Sequence, residues 1–389
     1  MTHNQVEVLT GLDVLLRDGH PALENKRIGL ITNHTAVTRD LQSIIDVLHA
    51  DDRFNLAMLF GPEHGVRGTA QAGEHVEDGV DIATGVPAIS LYGKNRVPTA
   101  EQMEQLDVML FDIQDVGARH YTYMATMVNV MQACAPLDLP MVVLDRPNPI
   151  TGINTEGKVL EAELTSGVGI HPMPTRHGLT MGELALLMSH DLGLPTPTII
   201  ACDGWTRDLW WDDTDLPFVI PSPNLPTLES CIAYTATCII EATPMSEGRG
   251  TTLPFETFGA PWVDAIALAK DLNGRNLPGV IFRPTAFTPT FTKHEGELCS
   301  GLQLHVVDRD AFRPVSTGVH IVHALQQLSD SQFTWKEGKV FGMSHGRLYG
   351  STELKDMLAD GASPEEIIAT WQPELDAFIE RASKFHLYH

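Results

Sequence analysis

Along the first two hundred positions the chain alternates between two hydrophobic periods. Short runs rich in branched apolar residues occur at 27–32 (RIGLIT), 55–60 (NLAMLF), 87–91 (PAISL), 107–113 (DVMLFDI), 140–145 (PMVVLD) and 197–201. Each is of strand length and nearly continuous in hydrophobicity, as expected of strands covered on both faces. Between them, positions 41–50, 100–106, 121–134 and 181–190 read as helices. Strand and helix in alternation predict parallel βαβ units and hence a Rossmann-like layered sheet. No GxGxxG follows the first strand and no Walker sequence occurs. The pattern therefore supports neither a dinucleotide nor ATP, and no cofactor is expected.

A proline-rich stretch, VIPSPNLPTLES at 219–230, reads as a rigid connector. Beyond it the pattern resumes, with helices at 262–272 and 317–328, strands at 279–282 and 302–307, and closing helices at 352–359 and 364–382. The predicted fold is α/β: a Rossmann-like parallel-sheet domain over 1–235 and a smaller α/β or α+β domain over 236–389. A length of 389 residues fits two domains better than one core.

Polar residues gather where the strands end. Asn33-His34-Thr35 follow the first strand, and Pro62-Glu63-His64-Gly65-Val66-Arg67-Gly68 the second. The fourth is followed by Gln114-Asp115-Val116-Gly117-Ala118-Arg119-His120-Tyr121, and the fifth by Arg146-Pro147-Asn148. In a parallel sheet these loops emerge on one edge, so residues distant in sequence converge there. The densest stretch is 59–81, with five acidic residues, two histidines and one arginine punctuated by glycine. Acid, imidazole and guanidinium groups in a strand-end loop point to an enzyme.

Composition narrows the class. The net charge of −24, from 26 basic and 50 acidic residues, offers no basic footprint for nucleic acid. No apolar run approaches the ~18–20 residues of a membrane helix. The amino terminus lacks the order of a secretory signal, so a cytoplasmic protein is expected. Five scattered cysteines form no CxxC pair, which argues against structural zinc and a disulfide framework. Glu63, His64, Glu74 and His75 are close in sequence but match no HExxH-type spacing, so no metal is expected.

Six motifs in order, LITNHTAV, FGPEHGVRG, FDIQDVGARHYTYMATM, DRPNPITG, PSPNLPTLES and SEGRGTTLPFE, resemble the NamZ-type exo-β-N-acetylmuramidases, a glycoside hydrolase family once known only as a domain of unknown function. RLYGSTELKDMLADG and RASKFHLY extend the resemblance to the carboxyl terminus. It implies an active-site cleft between a Rossmann-like domain and a smaller second domain. It also implies release of N-acetylmuramic acid from the non-reducing ends of peptide-free peptidoglycan. The expected partner is thus a muropeptide-derived saccharide; oligomeric state is left unassigned. Many members carry an export signal, and its absence here favours turnover of internalised sugars.

Glycosidases commonly use two carboxyl groups, one acting as general acid. Glu63, at a strand end behind Pro62, is the first candidate for the acid. Asp115, Asp112 and Glu74 are candidates for the partner role. Alternatively the sugar's own 2-acetamido group attacks the anomeric carbon, with an aspartate orienting it. The anionic lactyl ether calls for an arginine. Arg67, Arg119, Arg146, Arg176 and Arg249 lie in or beside the motifs, with Arg67 and Arg249 favoured. His64, Asn33, Asn148, Asn224, Tyr121 and Glu247 complete the substrate-binding candidates. Each has a plainer reading: loop-bracing ion pairs for the arginines, turn formation for the asparagines, core packing for the tyrosine. A saccharide-binding protein without turnover and a metal-dependent hydrolase are the competing functions.

Overall fold

A computed structural model describes residues 5–68, 78–93, 95–336 and 344–389. Seven strands form one sheet in the first lobe: β1 (Arg27–Thr32), β2 (Asn55–Gly61), β3 (Gly79–Val80), β4 (Pro87–Ser90), β5 (Val108–Asp112), β6 (Met141–Leu144) and β7 (Thr198–Ile200). Their spatial order is β3-β4-β2-β1-β5-β6-β7. All neighbours run parallel except β3 and β4. Leaving aside β3, this is the doubly wound order, whose direction of travel reverses at β1. The sequence pattern missed β3 because two residues carry no period; backbone pairing of Val80 with Pro87 defines it.

The sheet is covered on both faces, which is why its strands read as unbroken apolar runs. Helices α1 (Gly11–Asp18), α2 (Ile44–Ala50), α3 (Ala100–Met103), α4 (Thr122–Cys134) and α5 (Met181–Leu192) supply the cover. Ile28 and Leu30 of β1 pack with Leu12 and Leu15 of α1 and Ile44 and Leu48 of α2. Ile31, one residue on, joins the opposite cluster with Val128 of α4 and Leu184 of α5. This is the two-residue alternation of a strand. Helix α2 begins three residues later than its pattern predicts. Leu41 takes a left-handed φ of 61°, and the Ser43 side chain caps the helix by accepting from Ile45 N–H.

The second lobe contains α6 (Leu228–Thr237), β8 (Thr257–Ala260), α7 (Ala265–Gly274), β9 (Val280–Phe287), β10 (Cys299–Val306) and α8 (Pro314–Leu328). Four short helices follow: α9 (His345–Tyr349), α10 (Glu353–Ala359), α11 (Pro364–Ala369) and α12 (Gln372–Ala382). Its sheet is antiparallel, in the order β8-β10-β9. A boundary at 235 would cut α6, which packs on α8, so the connector ends sooner than its composition indicates. The single helix predicted over 364–382 is two. Pro373 starts the second, and the buried Trp371 between them donates its indole N–H to Tyr349 Oη at 2.7 Å. Among the described residues no helix is long and apolar enough to cross a membrane.

The carboxyl terminus returns to the first lobe. Tyr388 donates to Asp145 Oδ2 at 2.6 Å, and Leu387 N–H donates to Glu183 at 2.9 Å. Glu183 also closes the α5 capping box with Thr180 and pairs with Arg207. Burial pushes its carboxyl up to about 7, against the pull of Arg207. A raised folded-state pKa contributes stability that is full below the unfolded value and is lost as pH rises through the folded one. Replacing Arg207 with Met removes the opposing charge and strands a buried carboxyl. The expected loss is about 3–5 kcal/mol above about pH 8 and smaller below about pH 6, where Glu183 is protonated. Thermal unfolding at both pH values tests this; a loss independent of pH would rule out Glu183 as the group responsible.

Candidate active site

Register places the strand-end loops side by side. Ile31 of β1 stands opposite both Phe60 of β2 and Phe111 of β5, and Phe111 stands opposite Val143 of β6. The chain therefore leaves the sheet at Asn33, Pro62, Ile113 and Asp145 on one edge, around the strand-order reversal.

The loop after β2 is tight. An added Cβ on Gly61 would lie 2.9 Å from the Val66 nitrogen, so the returning chain requires glycine there. Gly65 N–H closes on the Pro62 carbonyl at 3.0 Å, and His64 takes a left-handed φ of 75°. Such a backbone costs a residue with a Cβ roughly 1–3 kcal/mol and persists where its surroundings fix it. The turn leaves Glu63 half-buried while His64 is buried beside His34. Glu63 Oε2 accepts a hydrogen bond from the Thr122 hydroxyl at the start of α4, at 3.0 Å. Tyr92, on the loop after β4, lies close enough for the Glu63 charge to act on its phenol. Burial, reinforced by the Glu63 charge, pushes the Tyr92 phenol up, so it stays protonated.

Tyr123 lies among Glu63, Asn33 and Asp115; burial pushes its phenol up, and the two carboxyl groups add to the effect. Its hydroxyl donates to the Pro221 carbonyl at 3.0 Å, while His34 Nε2 donates to the Ile220 carbonyl at 2.7 Å. These two bonds clamp the proline-rich connector across the strand-end loops. Edge-on rings then run from this lobe into the second. Tyr123 meets Tyr121 at 4.7 Å, Tyr121 meets Tyr234 of α6 at 6.3 Å, and Tyr234 meets Phe255 at 4.8 Å. Arg249 covers the far face of Phe255 at 5.0 Å. The acid-bearing loop thus stands at a junction between the lobes.

Two family models match the chain: exo-beta-N-acetylmuramidase NamZ, N-terminal, over residues 28–229, and its C-terminal counterpart over 232–388. The chain belongs to the NamZ family. It is 45% identical over 388 residues to the peptidoglycan beta-N-acetylmuramidase NamZ of Bacillus subtilis (strain 168), covering 100% of this chain and 93% of that protein. Crystal structures of two DUF1343 family proteins from Bacteroides fragilis NCTC 9343 share the fold. One has a TM-score of 0.92 at 36% identity, covering 99% of this chain and 100% of its own. The other has a TM-score of 0.78 at 31% identity, covering 98% and 99%.

In this NamZ-family chain, several residues singled out in the sequence are engaged by other protein groups. Asp112 is fully buried and bound by Arg146 through two nitrogens, one at 2.9 Å, so neither is available to substrate. Arg67 grips Asp46 and Asp81 with four hydrogen bonds, which neutralise it. Arg249 pairs with Glu241 at 2.7 Å and approaches Glu247 at 3.4 Å. Lys293 holds the other oxygen of Glu247 at 2.9 Å. Burial opposes charge on Glu247, but Lys293 and Arg249 outweigh it and hold the carboxyl below its ordinary range. The SEGRG motif is therefore an ion network bracing the second lobe.

Arg119 is wholly buried and donates to the Arg347 and Leu348 carbonyls at 2.9 and 3.0 Å, tying the lobes together. Burial pushes it down to about 10. Arg176, pushed by burial to about 10 as well, lies over the Trp210 ring and donates to the Ile150 carbonyl. Asn148 bridges Leu179 and Ile150 within its own turn, and Asn224 is buried in the Ser222–Leu225 turn. Glu74 and His75 lie outside the described residues. Asn33, Asp115 and Tyr121 do come together beside Glu63.

Tyr92, Thr122 and His177 went unselected in the sequence. Tyr92 obeys the strand-end rule, since LYGKNR follows β4, and that rule applied to every strand finds it. Thr122 was visible between the two tyrosines. His177 lies far from Asp115 in sequence and joins it only through the bridge pairing of Ala118 with Arg176.

Proposed function

We propose that this chain is an exo-acting glycosidase that releases N-acetylmuramic acid from the non-reducing ends of peptide-free peptidoglycan fragments. The observation that carries the reading is Glu63, a half-buried carboxyl held by the Thr122 hydroxyl, beside Tyr92, where the two lobes meet. Its place at the strand-order reversal is where doubly wound folds bind ligands. The activity in the name of the Bacillus subtilis relative supports the same substrate class. Glu63 protonates the glycosidic oxygen as the bond to the anomeric carbon breaks, and water completes the hydrolysis.

Selecting muramic acid over glucosamine requires a cation for the lactyl carboxylate, against an overall charge of −24. Arg67 and Arg249 are neutralised. Arg96, exposed on the same loop as Tyr92, has no carboxylate partner among the described residues, and its charge reaches the Tyr92 phenol. Arg96 is the lactyl ligand in this reading. A chromogenic N-acetylmuramide is expected to be cleaved in strong preference to its N-acetylglucosaminide counterpart. Arg96→Gln should raise KM for the muramide by about ten- to a hundredfold, the worth of a charge-assisted hydrogen bond, with kcat nearly unchanged. A wild-type protein cleaving neither glycoside would overturn the activity. A variant with unchanged KM would remove Arg96 from the site.

A further inference from the structure

Next to Glu63, several polar atoms are buried without a hydrogen-bond partner among the described residues. They include Asn33 Nδ2, Gln114 Oε1, Asp115 Oδ1 and the Tyr121 hydroxyl, on residues between 0% and 9% exposed. An unmade buried hydrogen bond costs about 1–3 kcal/mol, so a group of them on one edge marks a place completed by a ligand.

The surroundings fix which atoms face this place. Asn33 Oδ1 accepts from Thr35 N–H at 2.9 Å and from the Thr35 hydroxyl at 2.6 Å, which assigns the amide orientation. Asn33 Nδ2 is therefore the atom turned towards Tyr123, without closing a bond to it. The Thr35 hydroxyl in turn accepts from Gln114 N–H at 3.0 Å, locking the β1 and β5 loops together. Asp115 Oδ2 accepts from Gly117 N–H at 2.8 Å and faces His177 Nε2 at 3.5 Å. His177 Nδ1 accepts from Leu179 N–H at 3.1 Å, so in the neutral ring Nε2 carries the proton and points it at Asp115. One carboxylate oxygen is thereby anchored and the other left open.

An open donor and an open acceptor, both beside Tyr123 and next to Glu63, match one feature of the substrate. A secondary amide offers one N–H and one carbonyl oxygen. Resting on the glycosidase reading above, we propose that Asp115 and Asn33 bind the sugar's 2-acetamido group and that its carbonyl oxygen is the nucleophile. Asp115 Oδ1 accepts the acetamido N–H, and Asn33 Nδ2 holds the carbonyl oxygen over the anomeric carbon. That oxygen forms a bond to C1 as the C1–O bond to the leaving sugar breaks, and Glu63 gives its proton to the departing oxygen. The product is a bicyclic oxazolinium ion whose N–H⁺ is stabilised by the Asp115 carboxylate. Water then attacks C1, Glu63 takes the water proton, the bond from C1 to the acetamido-derived oxygen breaks, and the acetamido group is restored. Two displacements at C1 return the β configuration. Asp112 and Glu247 do not compete for the nucleophile role, since each is bound by cations.

The test uses the wild-type protein and chromogenic muramides carrying N-acetyl, N-fluoroacetyl, N-difluoroacetyl and N-trifluoroacetyl groups. Each fluorine weakens the carbonyl oxygen as a nucleophile, so kcat/KM should fall steeply along the series. Proton NMR should show the β-anomer of the free sugar forming first. Asp115→Ala should lose about 10²–10³-fold in kcat on the N-acetyl substrate. It should also bind a muramyl thiazoline, a stable mimic of the bicyclic ion, far more weakly than the wild type. Cleavage with a flat fluorine series, or with the α-anomer formed first, would overturn the acetamido role and leave the glycosidase reading standing. No cleavage of any muramide by the wild type would remove both.

Discussion

Glu63→Gln should reduce kcat on a muramyl disaccharide by about 10²–10⁴-fold, the range of a positioned general acid. Glutamine preserves shape, and its side-chain oxygen can still accept from Thr122, so the fold should be intact. The diagnostic feature is dependence on the leaving group. A sugar alkoxide needs the proton, whereas a dinitrophenolate leaves without one. The variant should therefore lose far less of its rate of bond cleavage on a dinitrophenyl muramide. Steady-state and single-turnover kinetics on the two substrates check this. Equal losses on both would assign Glu63 to binding or structure, and parental rates on the disaccharide would end its candidacy.

The largest effect on stability is expected at the Asp112–Arg146 pair. Both side chains are almost fully buried, and the guanidinium is held through two nitrogens. Burial raises the Asp112 carboxyl despite the adjacent cation, and Arg146 also reaches the Val37 carbonyl at 3.0 Å. Asp112→Ala leaves the cation buried and unpaired beneath the strand-end loops, an expected loss of about 3–5 kcal/mol. Asp112→Asn keeps a carbonyl acceptor and should lose less. Urea unfolding of the three proteins measures both differences. A catalytic Asp112 would behave differently: Asn would abolish turnover while leaving the unfolding midpoint in place.

The strands were legible because a parallel sheet covered on both faces leaves long apolar runs, and each of the six predicted over 27–201 is present. Glu63 was legible for a related reason, since a strand that ends in Gly-Pro-Glu-His-Gly announces a sharp turn at the sheet edge. The second lobe was harder to read. Its strand β8 lies inside a stretch dominated by glycine, proline and threonine, and its pairing with β10 is a long-range fact. The ion pairs of the arginines are long-range facts of the same kind. Nothing local distinguishes Arg67, gripped by Asp46 and Asp81, from Arg96, which has no carboxylate partner among the described residues.

By itself the sequence determined the α/β class, the edge of the sheet where polar loops gather, and the family. Those follow from local period, from turn residues and from motifs, all carried by neighbours along the chain. Only the tertiary structure decided which charged side chains cancel one another and which polar atoms stay open. That partition depends on partners such as Asp112 with Arg146, or His177 with Asp115, brought together from separate loops. Charges are satisfied through space, so chemical availability is a property of the folded chain.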